Sequence, residues 1–231
     1  MSILMLVLVL NVPSEPETHE LHLVQGWNIR VEKKLLEDHP QLARKALELA
    51  EIQLGDISWV LPPQRVEELR RVEIVLDFDR PGLKNMQYHP SRKWLKNNGH
   101  AEDLEKCVHI PQVQGFINLK KSNTQPWVLL HELAHAWHDQ YLSFGEEEVI
   151  KAFNSAKRSG EYEEVLHING KLAQHYALTN HKEYFAEGTE AFFGTNDFYP
   201  FVKVELKKHD VVLYELLEKL WLGPPLQKIS N

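Results

Sequence analysis

The spacing of apolar positions changes character near residue 126. Before it, runs of strand length dominate: Leu21 to Val31 alternates weakly and predicts a strand, and Val72 to Phe78 reads as a second, buried one. Between them Leu42, Ala46, Leu49 and Ala50 recur at helical spacing, which predicts an amphipathic helix over Pro40 to Leu54, stopped at Gly55. Asp79 to Asn98 is rich in Pro, Gly, Asn and aromatic residues, among them Tyr88 and Trp94, and predicts a long ordered loop. Two short strands are expected after it, at Cys107 to Ile110 and Gly115 to Leu119.

From residue 126 onward the period is helical. Pro126 suits a first helical position, and its helix is expected to run to about Leu142. A second helix spans Glu146 to Arg158, with Glu146-Glu147-Glu148 set against the positive end of its dipole. Asn169-Gly170, flanked by Glu164 to Ile168 and Lys171 to Ala177, is a strong hairpin signal. Asn180 with Glu183 three residues later forms a capping-box-like start for a helix ending at Gly194. Helices near Pro200 to Lys208 and Val211 to Leu222 follow, the second capped by Asp210 and stopped at Gly223.

Ile3 to Leu10 is an apolar run of a different kind, far short of the roughly 20 residues that span a bilayer. It fits either a signal-peptide core or a buried strand, although no basic residue precedes it and no small-x-small cleavage site follows. Pro13 to Glu20 reads as an exposed acidic linker. The expected organisation is therefore an N-terminal segment and linker over 1–20, then one domain over 21–231. Its N-terminal part covers 21–125 and its helical, active-site part 126–231. A signal remnant would place the protein outside the cytoplasm, and a strand inside it.

Composition narrows the class. Of 231 residues, 43% are apolar and 26% charged, which is a soluble globular balance with no stretch suited to stable membrane insertion. Acidic residues outnumber basic ones by 33 to 26 and no basic run exceeds two residues, so nucleic acid is not an expected partner. Cys107 is the single cysteine, so there is neither an internal disulfide nor a cysteine-based zinc site; a small buried hydrophobe is its expected role. Thirteen histidines exceed what a core needs.

Two of them stand in His131-Glu132-Leu133-Ala134-His135, an HExxH motif. On a helix, residues four apart share a face, so His131 and His135 can offer two imidazole nitrogens to one tetrahedral zinc. Glu132 then lies beside the metal, where it can take a proton from water and pass it to a leaving amine. Apolar residues at Leu129, Leu130, Leu133, Ala134 and Ala136, as a buried active-site helix requires, reduce the chance of a fortuitous match to about 0.001.

A catalytic zinc needs a third protein ligand and an open fourth position. The metzincin pattern would place glycine at 138 and histidine at 141; His138 and Tyr141 exclude it. The helix starting at His181 carries Glu183, Glu187 and Glu190 on one face. Because a metal-bound imidazole usually donates its other N–H to a carboxylate, the site needs one glutamate on the metal and another behind a histidine. Glu183 as ligand with Glu187 behind is the preferred arrangement; Glu187 as ligand with Glu190 behind is the alternative.

HExxH followed by Tyr176-x6-Glu183-Tyr184-Phe185-Ala186-Glu187 resembles the gluzincin zinc peptidases related to anthrax lethal factor and the bacterial titration-factor peptidases. The likeness covers Pro126 to Gly194. It implies Glu183 as third zinc ligand and Tyr176 as the group that stabilises the oxyanion. From the residues alone, Tyr176 is expected to end the hairpin with its phenol near the reacting centre, His175 being its rival on the opposite face. His138, His167 and His181 are expected behind the site or on the surface.

The fold expected is zincin-like α+β: a small N-terminal sheet with helices, a mostly helical C-terminal part, and one zinc per chain in the cleft between. The activity expected is hydrolysis of peptide bonds in a peptide or protein substrate. In this reading His131, His135 and Glu183 hold the metal, Glu132 activates water, Tyr176 assists, and Gly115 to Leu119 serves as an edge strand for the substrate. A non-catalytic binding protein on the same scaffold and a zinc hydrolase of a non-peptide amide are the rival readings.

Overall fold

The computed structural model describes residues 18–229, so the apolar run Ile3 to Leu10 and most of the acidic linker lie outside the described residues. The predicted strand over Leu21 to Val31 is in fact a hairpin, β1 (His19–Val24) and β2 (Trp27–Glu32). Gln25 and Gly26 turn the chain with φ of 51° and 88°, the double positive φ that a two-residue hairpin turn needs. Alternation in β2 buries Trp27, Ile29 and Val31 completely, each contributing roughly 1.5–3 kcal/mol of burial.

Helix α1 (Lys33–Asp38) leads into α2 (Pro40–Val60), which continues five residues past the predicted stop at Gly55. One glycine costs a helix only about 1 kcal/mol, and burial of Ile57 on the next turn offsets it. The helix ends where Pro62 forces Leu61 into extended backbone. After α3 (Pro63–Leu69), β3 (Ile74–Leu76) enters the sheet, fully buried. The predicted loop Asp79 to Asn98 contains a two-residue strand, β4 (Gln87–Tyr88), and a helix, α4 (Arg92–Asn97), capped by the Ser91 side chain.

Strand β5 (Val108–Ile110) completes a sheet of order β1-β2-β3-β5-β4, antiparallel at both ends and parallel in the middle. Cys107, just before it, is buried as expected. The predicted strand Gly115 to Leu119 is instead part of helix α5 (Val113–Ser122). Its buried residues, Val113, Phe116 and Ile117, stand at i, i+3 and i+4, a helical stripe that a five-residue window hides.

Helix α6 (Val128–Trp137) buries all ten of its residues and continues into a π-helical turn, His138–Leu142. Helix α7 (Glu147–Ser159), the short hairpin β6 (Val165–Leu166) and β7 (Leu172–Ala173), and a 3₁₀ turn at Tyr176–Thr179 lead to α8 (His181–Phe193). Helices α9 (Lys203–His209) and α10 (Val211–Leu222) close an α+β structure with ten α-helices among the described residues. Gly188 lets α8 meet α10 closely, since a Cβ there would lie 2.6 Å from Leu213 Cδ2.

A buried ion pair ties the two parts together. Arg65 donates to both carboxylate oxygens of Glu68 at 2.9 Å and to the carbonyls of Leu220, Trp221, Gly223 and Pro224. Glu68 also accepts from Trp137 Nε1 at the end of α6. One apolar core runs from Trp27 in β2 to Trp221 in α10, so the sheet and the helices share an interior.

Candidate metal centre

Three donor atoms converge where α6 crosses α8. His131 Nε2 and His135 Nε2 are 3.1 Å apart, and each lies 3.0 Å from Glu183 Oε2. Ligand atoms of a tetrahedral zinc with bonds of about 2.0–2.1 Å stand about 3.3 Å apart, so a small cation fits this triangle with slight expansion. These residues form a His/His/Glu group able to hold a metal ion. Of the carboxylates on α8, Glu183 is the one that meets both histidines.

Local sequence explains each placement. The i, i+4 spacing puts both imidazoles on one face of α6. Asn180 caps α8, its side chain accepting from the backbone N–H of Lys182 and Glu183. Glu183 turns its carboxylate to the histidines rather than completing the capping box.

The carboxylate behind His131 is Glu190, whose Oε1 is 2.7 Å from Nδ1, and not Glu187, which stays at 3.7 Å. Side chains on a helix lean toward its N-terminus, so Glu190, two turns beyond Glu183, reaches back to the ring. Glu187 is wedged between His131 and His175, 3.7 Å from each, with Oε2 unpartnered. Burial, reinforced by the neighbouring Glu190 charge, pushes the Glu187 carboxyl well above its ordinary range. His131, Glu187 and Glu190 also lie close enough to be an alternative metal group, but the short Glu190 bond occupies Nδ1.

The electrostatics favour positive charge at the triangle. Burial opposes protonation of His131, but hydrogen bonds to Glu183 and Glu190 hold its pKa well above the usual histidine value. Burial would likewise raise the Glu183 carboxyl, yet its contacts with His131 and His135 hold it well below the carboxylate range. The triangle can thus take a cation, whether proton or metal ion.

Glu132 is buried one residue along α6, and its Oε2 accepts from the backbone N–H of Tyr88 at 2.8 Å. Burial pushes its pKa up, partly countered by His135 and His131. A cleft of about 680 Å³ opens over these groups. The edge strand β4, helix α5, Tyr176 and Phe198 all contribute to its lining. Lys84 is the single lysine in that lining and no arginine joins it.

Tyr176 lines the cleft and is 48% exposed, but it sits on a 3₁₀ turn and not at the end of a strand. The backbone leaves β7 at Ala173 because His175 caps that turn, its Nδ1 accepting from the Ala177 N–H. His175 is consequently buried and faces Glu187. His138, expected behind the site or at the surface, is fully buried among Phe144, His181 and Phe185, and neither ring nitrogen has a partner. Part of the histidine excess is structural, since His109 and His19 clasp the buried Asp77 across the sheet.

Tyr88, Asp139 and Lys106 join the site without a motif that marks them in the sequence. The Tyr88 phenol donates to Asp139 Oδ2 at 2.6 Å, and Lys106 Nζ meets the same oxygen at 2.6 Å. The one available signal was that Asp139 follows Glu132 by seven residues and so shares its helix face. Comparison with known proteins returned no match among family models, curated proteins or solved structures.

Proposed function

We propose that the protein is a zinc-dependent metallopeptidase of zincin-like fold, with its metal in the cleft between the two parts. The observation that carries this reading is the convergence of His131 Nε2, His135 Nε2 and Glu183 Oε2 at 3.0–3.1 Å beside Glu132, at the floor of an open cleft. A zinc ion held there supplies Lewis acidity, polarising a scissile carbonyl and making water more acidic.

The chain's own residues do the rest. Glu132 takes a proton from the attacking water as the oxygen bonds to the carbonyl carbon. It then delivers that proton to the leaving nitrogen as the C–N bond breaks. The Tyr176 phenol donates to the carbonyl oxygen as negative charge develops there. An extended peptide lies along β4, the edge strand that lines the cleft, pairing with backbone groups other than the Tyr88 N–H, which Glu132 holds, in the role expected of Gly115 to Leu119.

The purified chain is expected to hold one zinc and to cleave unstructured peptides, and chelation should abolish cleavage reversibly. A wild-type chain that takes up no zinc when offered it sinks the reading.

A further inference from the structure

Tyr88 touches the HExxH helix at two levels. Its backbone N–H holds Glu132 Oε2 at 2.8 Å, and its phenol reaches Asp139 Oδ2 at 2.6 Å, seven residues further along the same face. Seven residues are two helical turns, about 10 Å, so the tyrosine lies along the helix as a strut. Gln140 Nε2 donates to the phenol oxygen at 3.1 Å, leaving the buried hydroxyl fully bonded.

The far end is held from the turn that leads into β5. Lys106 Nζ meets Asp139 Oδ2 at 2.6 Å, and the Lys106 backbone N–H donates to the His89 carbonyl at 2.7 Å. His89 in turn donates its N–H to the Cys107 carbonyl at 3.0 Å, so the residue after Tyr88 is paired on both sides of its peptide. Lys106 has φ of +62°, in the left-handed region that a non-glycine residue adopts at a cost of order 1 kcal/mol. Asp139 itself stands in the π-helical turn, an irregularity that is common at functional sites and that re-aims the side chains following α6. Two departures from regular backbone thus meet at one carboxylate.

We infer that Lys106, Asp139 and the Tyr88 phenol are positioning residues that lock edge strand β4 onto α6 and thereby aim the Glu132 carboxylate. A two-residue strand has too few ladder bonds to hold its own place. The lock supplies that rigidity. It leaves the second carboxylate oxygen of Glu132 for the reaction and keeps the base and the substrate-binding edge in one frame. This inference rests on the peptidase reading for its consequence in catalysis, though the lock itself can be observed without any turnover.

The test is amide hydrogen exchange at position 88, measured with zinc content, unfolding midpoint, kcat and KM, in Asp139→Asn, Tyr88→Phe, Lys106→Met and Lys106→Arg. Tyr88→Phe and Asp139→Asn are expected to speed exchange at residue 88 at least tenfold while Val75 in β3 exchanges as in wild type. In both, kcat should fall at least tenfold with KM within about twofold and zinc retained. Lys106→Met should show a smaller change of the same kind, and Lys106→Arg, which keeps the ion pair, should behave as wild type. Unchanged exchange at residue 88 in the folded variants overturns the inference. If Asp139→Asn does not fold, Tyr88→Phe and Lys106→Met decide. If wild type cleaves no peptide, the peptidase reading fails, and the exchange rates still decide whether the lock exists.

Discussion

Glu190 Oε1 stands 2.7 Å from Nδ1 of His131. The carboxylate accepts from Nδ1, so it is Nε2 that is turned toward Glu183 and His135. Glu190 therefore orients from behind a ring that belongs to the candidate metal group.

Zinc retention should rank the three glutamates of α8. Glu183→Ala and His131→Ala are expected to lose the metal, Glu190→Gln to weaken affinity by about 10–100-fold, and Glu187→Ala to matter less than either. Elemental analysis of protein purified without added zinc, followed by competition with a chelator, checks the order. Loss of zinc from Glu187→Ala with retention in Glu183→Ala would reverse the assignment.

Base and metal can be separated. Glu132→Gln should keep one zinc per chain yet lower kcat by about 10²–10⁴-fold, because the ligands remain and the base does not. Tyr176→Phe, which removes only the phenol, should lower kcat by about 10²-fold with zinc unchanged. Near-normal turnover in either variant removes that residue from the mechanism.

His138 should make the fold sensitive to acid. Burial, with the nearby His181 charge, lowers its pKa to about 3, whereas the unfolded chain titrates near 6.5. Below about pH 6.5 the unfolded state binds a proton that the folded state refuses, so stability present above that pH is lost as pH falls toward 3. The slope from this residue is at most about 1.4 kcal/mol per pH unit. Buried His175, with a pKa of about 3, and His89, at about 4, act in the same direction. Urea midpoints between pH 7 and 4 should fall more gently for His138→Leu than for wild type, and the variant should be the more stable at pH 5. Parallel curves would contradict this.

Arg65 offers a test of how the two parts are joined. Arg65→Met leaves the Glu68 carboxylate buried against Trp137 and strips four backbone carbonyls near the C-terminus of their donor. Breaking such a pair from one side costs roughly 3–5 kcal/mol. Equilibrium unfolding in urea measures it, and a loss below about 1 kcal/mol would mean that water replaces the guanidinium.

What the chain's sequence determined by itself is whatever depends on neighbours within a few residues. The i, i+4 histidines on α6, the Asn180 cap that starts α8, the Asn169-Gly170 turn and the Asp210 cap all follow from helix and turn geometry that a short stretch of chain already contains. Tertiary structure decided the rest. Strand β4 is two residues long and has no period to read; it exists because β5 pairs with one edge and Glu132 with the other. The stretch Gly115 to Leu119 became helix because its Phe116 and Ile117 share a buried face with the preceding Val113. Glu190 rather than Glu187 stands behind His131 because the lean of side chains along α8 meets a ring fixed from another helix. Such choices belong to contacts between distant segments, whose free energy is settled only when the segments pack.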